Sequence, residues 1–481
     1  MSVANKSVTL LCLMRVVLVS ATLCVLCGSL VAADTPNIVL IMADDLGYGA
    51  LGCYGQTKIN TPHIDRLAGD GMRFTQAYAG SHVCQPSRSV LMQGLHTGHT
   101  AVRANDLDQL LLPEDVTVAE LLKEQGYATG GFGKWGLGYI GTTGQPSRQG
   151  FDTWFGQYLQ VHAHFYYPFW VRLNDEQYLL PGNNGGKRGQ YVQDELHAQA
   201  LGFIRENADG PFFAYLPYII PHVELVVPEE WEQPYRGKFP KVAIMDPRPG
   251  YIGSEDGLTT LAGMISRLDA YVGEVRSLLE ELDIADNTLV IFTSDNGGQN
   301  GGKDNGWTKM TDFFEANGPL RGYKGTFYEG GMRVPFIVHW PGKTTPNSVS
   351  DHICGFQDVL PTFCEIAGAD TPEVTDGLSL VPTLVGEGSQ VEHRGMYWEY
   401  RRGDGIGRAV RMGRWKAVQL RDDGPVELYD LEADVSETTN IAADHHALVR
   451  EMVAYMDGCH EDEREYPPAQ ISRPKIDDFV R

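Results

Sequence analysis

Twice along this chain an unbroken apolar run empties into short side chains that carry oxygen. Asn37-Ile38-Val39-Leu40-Ile41-Met42 leads through Ala43 to Asp44-Asp45, and Asn287 to Thr293 (NTLVIFT) leads to Ser294-Asp295-Asn296-Gly297-Gly298. A strand without polar alternation is buried on both faces, the condition of a central strand in a sheet covered by helices. Helical signals lie between the two runs. Thr117-Val118-Ala119-Glu120 opens a helix as a capping box, and an amphipathic stretch extends from about Leu258 to Leu282. The pattern predicts an α/β chain with a large central mixed, mostly parallel sheet flanked by helices. Ligands of such sheets sit beyond the carboxyl ends of the strands, where these acids and amides stand.

After about residue 370 the runs shorten and alternate. Gly413-Arg414-Trp415-Lys416-Ala417-Val418-Gln419 and Val426-Glu427-Leu428-Tyr429-Asp430 read as antiparallel strands, with a helix from roughly Asp444 to Asp457 behind them. The 481 residues exceed what one hydrophobic core usually serves. The expected division is a leader over 1–33, a main domain over 34–370 and a small C-terminal antiparallel-sheet subdomain over 371–481. In the leader, Lys6 and Arg15 precede an apolar run from Val16 to Leu26, and Val31-Ala32-Ala33 suits a signal peptidase. That run of about 11 residues is shorter than the roughly 20 that span a bilayer. No Asn-x-Ser/Thr sequon follows residue 33. The expectation is an exported bacterial chain, periplasmic or secreted, without stable membrane insertion.

Charge narrows the partners. Lys plus Arg number 39 against 62 Asp plus Glu, a formal net charge of −23, and loss of Lys6 and Arg15 with the leader makes it −25. Such a surface repels nucleic acid, so an anionic substrate needs clustered cations or a metal ion to draw it in. Of 8 cysteines, Cys53, Cys84, Cys354, Cys364 and Cys459 follow the leader, an odd number. Cys354 and Cys364 fall in a stretch that reads as largely helical, where ten residues span about 15 Å, beyond a disulfide's reach.

Asp44, Asp45, Asp295 and Asn296 together would make a hard-cation site. Carboxylate and amide oxygens without imidazole or thiolate favour Ca²⁺ or Mg²⁺ over Zn²⁺. Singly, each is also an ordinary turn or N-cap residue. A second constellation is Cys84-Gln85-Pro86-Ser87-Arg88. Pro86 suits the first turn of a helix, which puts Cys84 near an N-terminus that favours anions, with Arg88 one turn further in. The same pentapeptide also reads as a proline-started helix with a buried cysteine.

In these residues and in several further motifs the chain resembles the type I, formylglycine-dependent sulfatases of the alkaline phosphatase superfamily. Cys84-x-Pro86-Ser87-Arg88 matches the signature at which the family's cysteine is oxidised, and Gly126-Tyr127-x-Thr129-x-x-x-Gly133-Lys134 matches its second signature. Pro221-His222, Leu320-Arg321-Gly322-Tyr323-Lys324-Gly325 and Glu329-Gly330-Gly331-x-Arg333 follow in family order. The resemblance implies an alkaline phosphatase-like fold and hydrolysis of sulfate esters. The substrate would be a sulfated saccharide or an aryl sulfate. Cys84 would be converted to formylglycine (3-oxoalanine) by a maturation enzyme, and its hydrate would be the nucleophile. One divalent cation, Ca²⁺ or Mg²⁺, would be held by Asp44, Asp45, Asp295 and Asn296 with position 84. Arg88, Lys134 and Lys324 would neutralise the sulfuryl oxygens, and His222 and Lys324 would serve the leaving oxygen. A phosphodiesterase or phosphonate monoester hydrolase of the same superfamily, and an inactive binder of sulfated glycans, are the rival readings.

One position departs from the family: Gly136 stands where the second signature often has His. His82 and His99, flanking the Cys84 segment, are candidate replacements, or plain helix-flanking residues. The aromatic segment 161–170 reads either as a sugar-stacking wall or as packing under a loop, and Tyr400-Arg401-Arg402 as a second anion contact.

Overall fold

The first apolar run folds as β1 (Asn37–Ala43), buried at every position. The computed structural model describes residues 35–466 apart from 247, 249, 300–305 and 404; the leader expected over 1–33 lies outside them. Along the chain follow β2 (Met72–Phe74), β3 (Ala77–Tyr78), β4 (Ala128–Lys134), β5 (Thr153–Gln157), β6 (Trp170–Leu173), β7 (Glu176–Leu179), β8 (Phe212–Pro217), β9 (Thr288–Ser294), β10 (Phe336–His339), β11 (Ser348–Ser350) and β12 (Cys354–Gly355). Ten of them form one sheet in the order β11-β2-β10-β9-β1-β8-β4-β5-β6-β7, while β3 pairs with β12. The centre, β9 through β5, is parallel. Pairs of β10 with β2 and β9, and of β6 with β5 and β7, are antiparallel, so the sheet is mixed as expected.

Side chains alternate across a strand, so a strand covered on both faces needs apolar residues at both parities. In β1, Val39, Ile41 and Ala43 enter the core beneath the helices Pro62–Asp70, Val192–Glu206 and Gly257–Glu281. Ile38, Leu40 and Met42 enter the opposite core, with helices Cys84–Gln93, Val118–Glu124 and Val359–Ala367. Each of these side chains larger than Ala43 is worth about 1.5–3 kcal/mol of burial. The helix Val118–Glu124 carries the capping box read from sequence, with Thr117 Oγ1 accepting from Glu120 N–H at 3.3 Å. β4 has a sequence poor in strand formers, and its glycines are there for closeness. A Cβ at Gly131 would stand 2.3 Å from the Trp154 ring, and one at Gly133 2.1 Å from the Pro217 carbonyl.

The C-terminal part forms a separate antiparallel sheet, β13 (Met396–Arg402), β14 (Gly405–Met412), β15 (Trp415–Gln419) and β16 (Val426–Asp430), in that order. One face packs on the helix His446–Cys459 through Met452 and Met456. The other face brings Trp398, Ala409 and Val418 against Tyr78, Phe327 and Met332 of the main body. Lys416, fully buried, bridges the two, with Nζ 2.8 Å from Glu329 Oε1 and 3.1 Å from Glu437 Oε1.

Cys354 lies on β12, followed by a 3-10 turn over Phe356–Asp358 and the helix Val359–Ala367 that holds Cys364, so the stretch between them is largely helical although Cys354 itself is not in it. Both are unpaired, as are Cys53, Cys84 and Cys459. Among the described residues no helix is long and apolar enough to cross a membrane.

Candidate active site

Register decides what meets at the sheet's edge. β1 pairs with β9 in parallel, Ala43 opposite Ser294, so Asp44-Asp45 and Asp295-Asn296 leave neighbouring strands side by side. β8 flanks β1 on its other side and runs on towards His222, and Lys134 ends β4 one strand further out. Asp45 takes a left-handed conformation (φ 65°), rare for a residue with a side chain and found where a site over-determines the backbone. That turn lets its N–H donate to Asp295 Oδ1 at 3.1 Å.

Cys84 opens the helix Cys84–Gln93 after Val83, as the Pro86 position predicts. The helix is pinned from within: Ser87 Oγ donates to the Asp295 carbonyl at 2.5 Å. Arg88 donates from Nε and Nη2 to Asp295 Oδ2 (3.1 and 2.8 Å), from Nη2 to Asp44 Oδ2 (3.2 Å) and from Nη1 to the Lys134 carbonyl (2.6 Å). Lys134 Nζ donates to Asp44 Oδ2 at 2.6 Å, and Lys324 Nζ lies 2.7 Å from Asp45 Oδ1. His222 Nε2 stands 3.3 Å from Asp45 Oδ2, and Asn296 Nδ2 donates to Asp45 Oδ1 at 2.7 Å. All nine residues singled out in the sequence therefore converge.

Three buried carboxylates face two buried cations, Arg88 and Lys134, and the half-buried Lys324. Burial alone would raise Asp44, but Lys134, Arg88 and Lys324 outweigh it and hold the acid below its ordinary range. Burial pushes Asp45 up to about 7 against the pull of Lys324, and burial with the Asp44 charge raises Asp295. Lys324 stays protonated: burial opposes its charge, and Asp45 more than restores it. Burial, then Lys324 and Lys134, hold His222 well below its usual value, so its imidazole is neutral.

Ligand-capable atoms of Asp44, Cys84 and Asp295 lie within 4.8 Å of one another. Asp44 Oδ1 and Asn296 Oδ1 are buried without a described hydrogen-bond partner. Open carboxylate and amide oxygens fit a hard divalent cation, and its two charges would leave the cluster positive overall. A cavity of about 510 Å³ adjoins the site, lined among others by Cys84, His164, His222, Arg248, Trp307 and Lys324.

Neither candidate replacement for the absent histidine lines that cavity. His82 packs edge-on against Phe327 at 4.4 Å between ring centroids, and His99 Nδ1 lies 2.9 Å from Asp376 Oδ2. Of the Tyr400-Arg401-Arg402 group, Tyr400 lies against His82 and Arg401 pairs with Glu463. The aromatic segment divides. Phe165 and Tyr166 are packed inside, while Val161 and His164 line the cavity. His164 stacks on His222 with centroids 4.6 Å apart, and Asn105 Nδ2 lies 3.8 Å from Cys84 Sγ. The Asn105 contact was not visible in the sequence, and His164, though within the segment singled out there, was not read as a partner of His222; both contacts arise through the fold rather than through a local motif.

Comparison with known proteins accords with this geometry. The sulfatase family profile matches residues 36–369, and the profile described as N-sulphoglucosamine sulphohydrolase, C-terminal, matches 323–461. An N-acetylgalactosamine-6-O-sulfatase of Bacteroides thetaiotaomicron is 30% identical, over 87% of this chain and 92% of its own. Arylsulfatase A of Homo sapiens is 32% identical, over 86% and 85%. The crystal structure of Ps i-CgsB in complex with k-i-k-neocarrahexaose superposes with a TM-score of 0.76 at 28% identity, covering 90% of this chain and 94% of that one. The phosphonate monoester hydrolase of Agrobacterium radiobacter, at a TM-score of 0.65 and 22% identity over 89% and 96%, shares the fold.

Proposed function

This chain belongs to the sulfatase family and is a sulfuric ester hydrolase, and from that premise we propose that it removes sulfate from a saccharide in the Cys84 cavity after Cys84 has become formylglycine. The observation that carries the reading is the convergence of Asp44, Cys84 and Asp295 within 4.8 Å. Oxidised to the aldehyde, position 84 would supply, as its hydrate, the oxygen that attacks sulfur. Asp44, Asp45, Asp295 and Asn296, with position 84, would hold one divalent cation, Ca²⁺ in preference to Mg²⁺, whose chemistry is to polarise the sulfuryl oxygens.

The chain's own residues do the rest. Arg88, Lys134 and Lys324 present fixed positive charge to the ester oxygens in a site shielded from water, where such charge counts most. Lys324 keeps its proton and lines the cavity, so it is the group placed to donate to the leaving oxygen. His222, neutral and stacked on His164, orients that oxygen by a hydrogen bond. A saccharide is the substrate class because the relatives named above include an N-acetylgalactosamine-6-O-sulfatase and a protein bound to a neocarrahexaose. The cavity volume is also in the range that small ligands fill. We further propose the division at residue 370, export, and maturation by a formylglycine-generating enzyme.

The test is sulfate release measured by ion chromatography from sulfated mono- and oligosaccharides, with a phosphonate monoester as comparator. Release from a saccharide by the wild-type chain, absent in Cys84→Ala, is the expected result. Turnover of the phosphonate ester at a higher kcat/KM would favour the superfamily's other chemistry. Saccharide binding without turnover would favour a binder.

A further inference from the structure

Gly136 has a positive φ of 89°, and a Cβ built there would stand 2.2 Å from Gln160 Nε2. A side chain at 136 would thus be strained in backbone and would displace the Gln160 carboxamide, which fills that space instead. Gln160 also lines the 510 Å³ cavity together with Cys84. Both its amide atoms are shut off from solvent, and neither has a described hydrogen-bond partner. Among the described lining residues it is alone in having both ends open, whereas its neighbour Gln85 spends its amide on the Asp106 and Gln109 carbonyls at 2.9 and 3.2 Å. A buried carboxamide with donor and acceptor both open costs stability, and native chains keep such groups where a ligand completes them.

We propose that Gln160 is a catalytic residue: its carboxamide hydrogen-bonds the oxygen nucleophile at position 84 and holds it in line for sulfur. The inference rests on the sulfatase reading and names a part of the site that reading leaves empty. A carboxamide has no useful affinity for a proton, so Gln160 orients the O–H by accepting from it at Oε1 and leaves proton transfer to other groups.

The test compares wild type with Gln160→Leu and Gln160→Glu in three measurements: steady-state kinetics of sulfate release, aldehyde content at position 84 by mass spectrometry, and thermal melting. The expected result for Gln160→Leu is a kcat lowered about ten- to a hundredfold with KM within about twofold of wild type. Its aldehyde content is expected to be unchanged and its melting temperature equal to or above wild type, because the open amide has gone. Gln160→Glu keeps an acceptor of the same reach and is expected to retain more kcat than Gln160→Leu. An unchanged kcat, a raised KM with kcat intact, or a lowered melting temperature that accounts for the loss would each overturn the proposal. A wild-type chain with only a thiol at position 84 and no sulfate release would instead overturn the sulfatase reading, and the proposal with it.

Discussion

Arg88 makes four hydrogen bonds inside the protein, to Asp295, Asp44 and the main chain of Lys134, so its removal acts on fold and site together. Arg88→Met leaves Asp295 buried without its guanidinium and Asp44 with Lys134 alone, and urea unfolding should show a loss of about 3–5 kcal/mol. Arg88→Lys keeps the charge but not the planar fork, and should fold better than Arg88→Met while remaining strongly impaired in kcat/KM. The open Asp44 and Asn296 oxygens lead to a second expectation. Ca²⁺ should raise the melting temperature and EGTA reverse it, with a gain of about 2.7 kcal/mol once the ion is a hundredfold above its Kd. Asp295→Asn should abolish most of that shift; a shift of wild-type size in the variant would place the ion elsewhere. These residues were legible in sequence because each ends a strand or opens a helix with a local pattern. Asn105 and Gln160 were not, since no local motif marks them and only the fold brings them to the cavity; His164 lay in the aromatic segment 161–170, but its stacking on His222 was not legible.

Between elements, the described contacts put charge where helices and sheets join. Asp269, on the long helix Gly257–Glu281, accepts from the N–H groups of His63 and Ile64 at 3.0 and 2.8 Å, and so caps the helix Pro62–Asp70. Burial pushes this carboxyl up to about 6 in spite of those donors. A folded-state pKa above the unfolded one means the folded chain holds the proton more tightly. Asp269's contribution is therefore fully present below about pH 4 and lost as pH rises to about 6, on the order of 3 kcal/mol. Asp269→Asn keeps an acceptor and removes the titration, so its unfolding free energy should fall less steeply than wild type between those pH values. Parallel slopes would show that Asp269 does not titrate there. Lys416 is the analogous joint between the two sheets. Lys416→Met should destabilise by about 3–5 kcal/mol, because Glu329 and Glu437 stay buried facing each other. β1 and β9 were readable at this scale from uninterrupted apolar runs. β12 was not, because two residues carry no periodicity, and neither was β4, whose glycines serve close packing and depress every strand signal.

The whole molecule sets a strongly negative surface around a locally cationic site, with 39 basic against 62 acidic residues. An anionic ester approaches against the long-range field and is captured by the short-range one. Salt screens the first over a Debye length of about 10 Å at 0.1 M and reaches the buried second far less. Raising NaCl from about 10 to about 150 mM should therefore increase kcat/KM for a sulfated oligosaccharide about two- to tenfold, and a decrease would show that the local cations govern approach as well as binding. The mixed α/β sheet and the separate C-terminal sheet were legible from the change of texture near residue 370. Their docking was not, because Tyr78 and Phe327 share a cluster with Trp398 and Val418 that is distant in sequence, and Lys416 meets Glu329 across 87 residues. The chemistry of the molecule turns on position 84. Peptide mass spectrometry of that segment, from chain produced in a host that matures sulfatases, should find a mass about 18 Da below the cysteine form, or a hydrate that hydrazide captures. An alkylatable thiol at Cys84 in that host would contradict it.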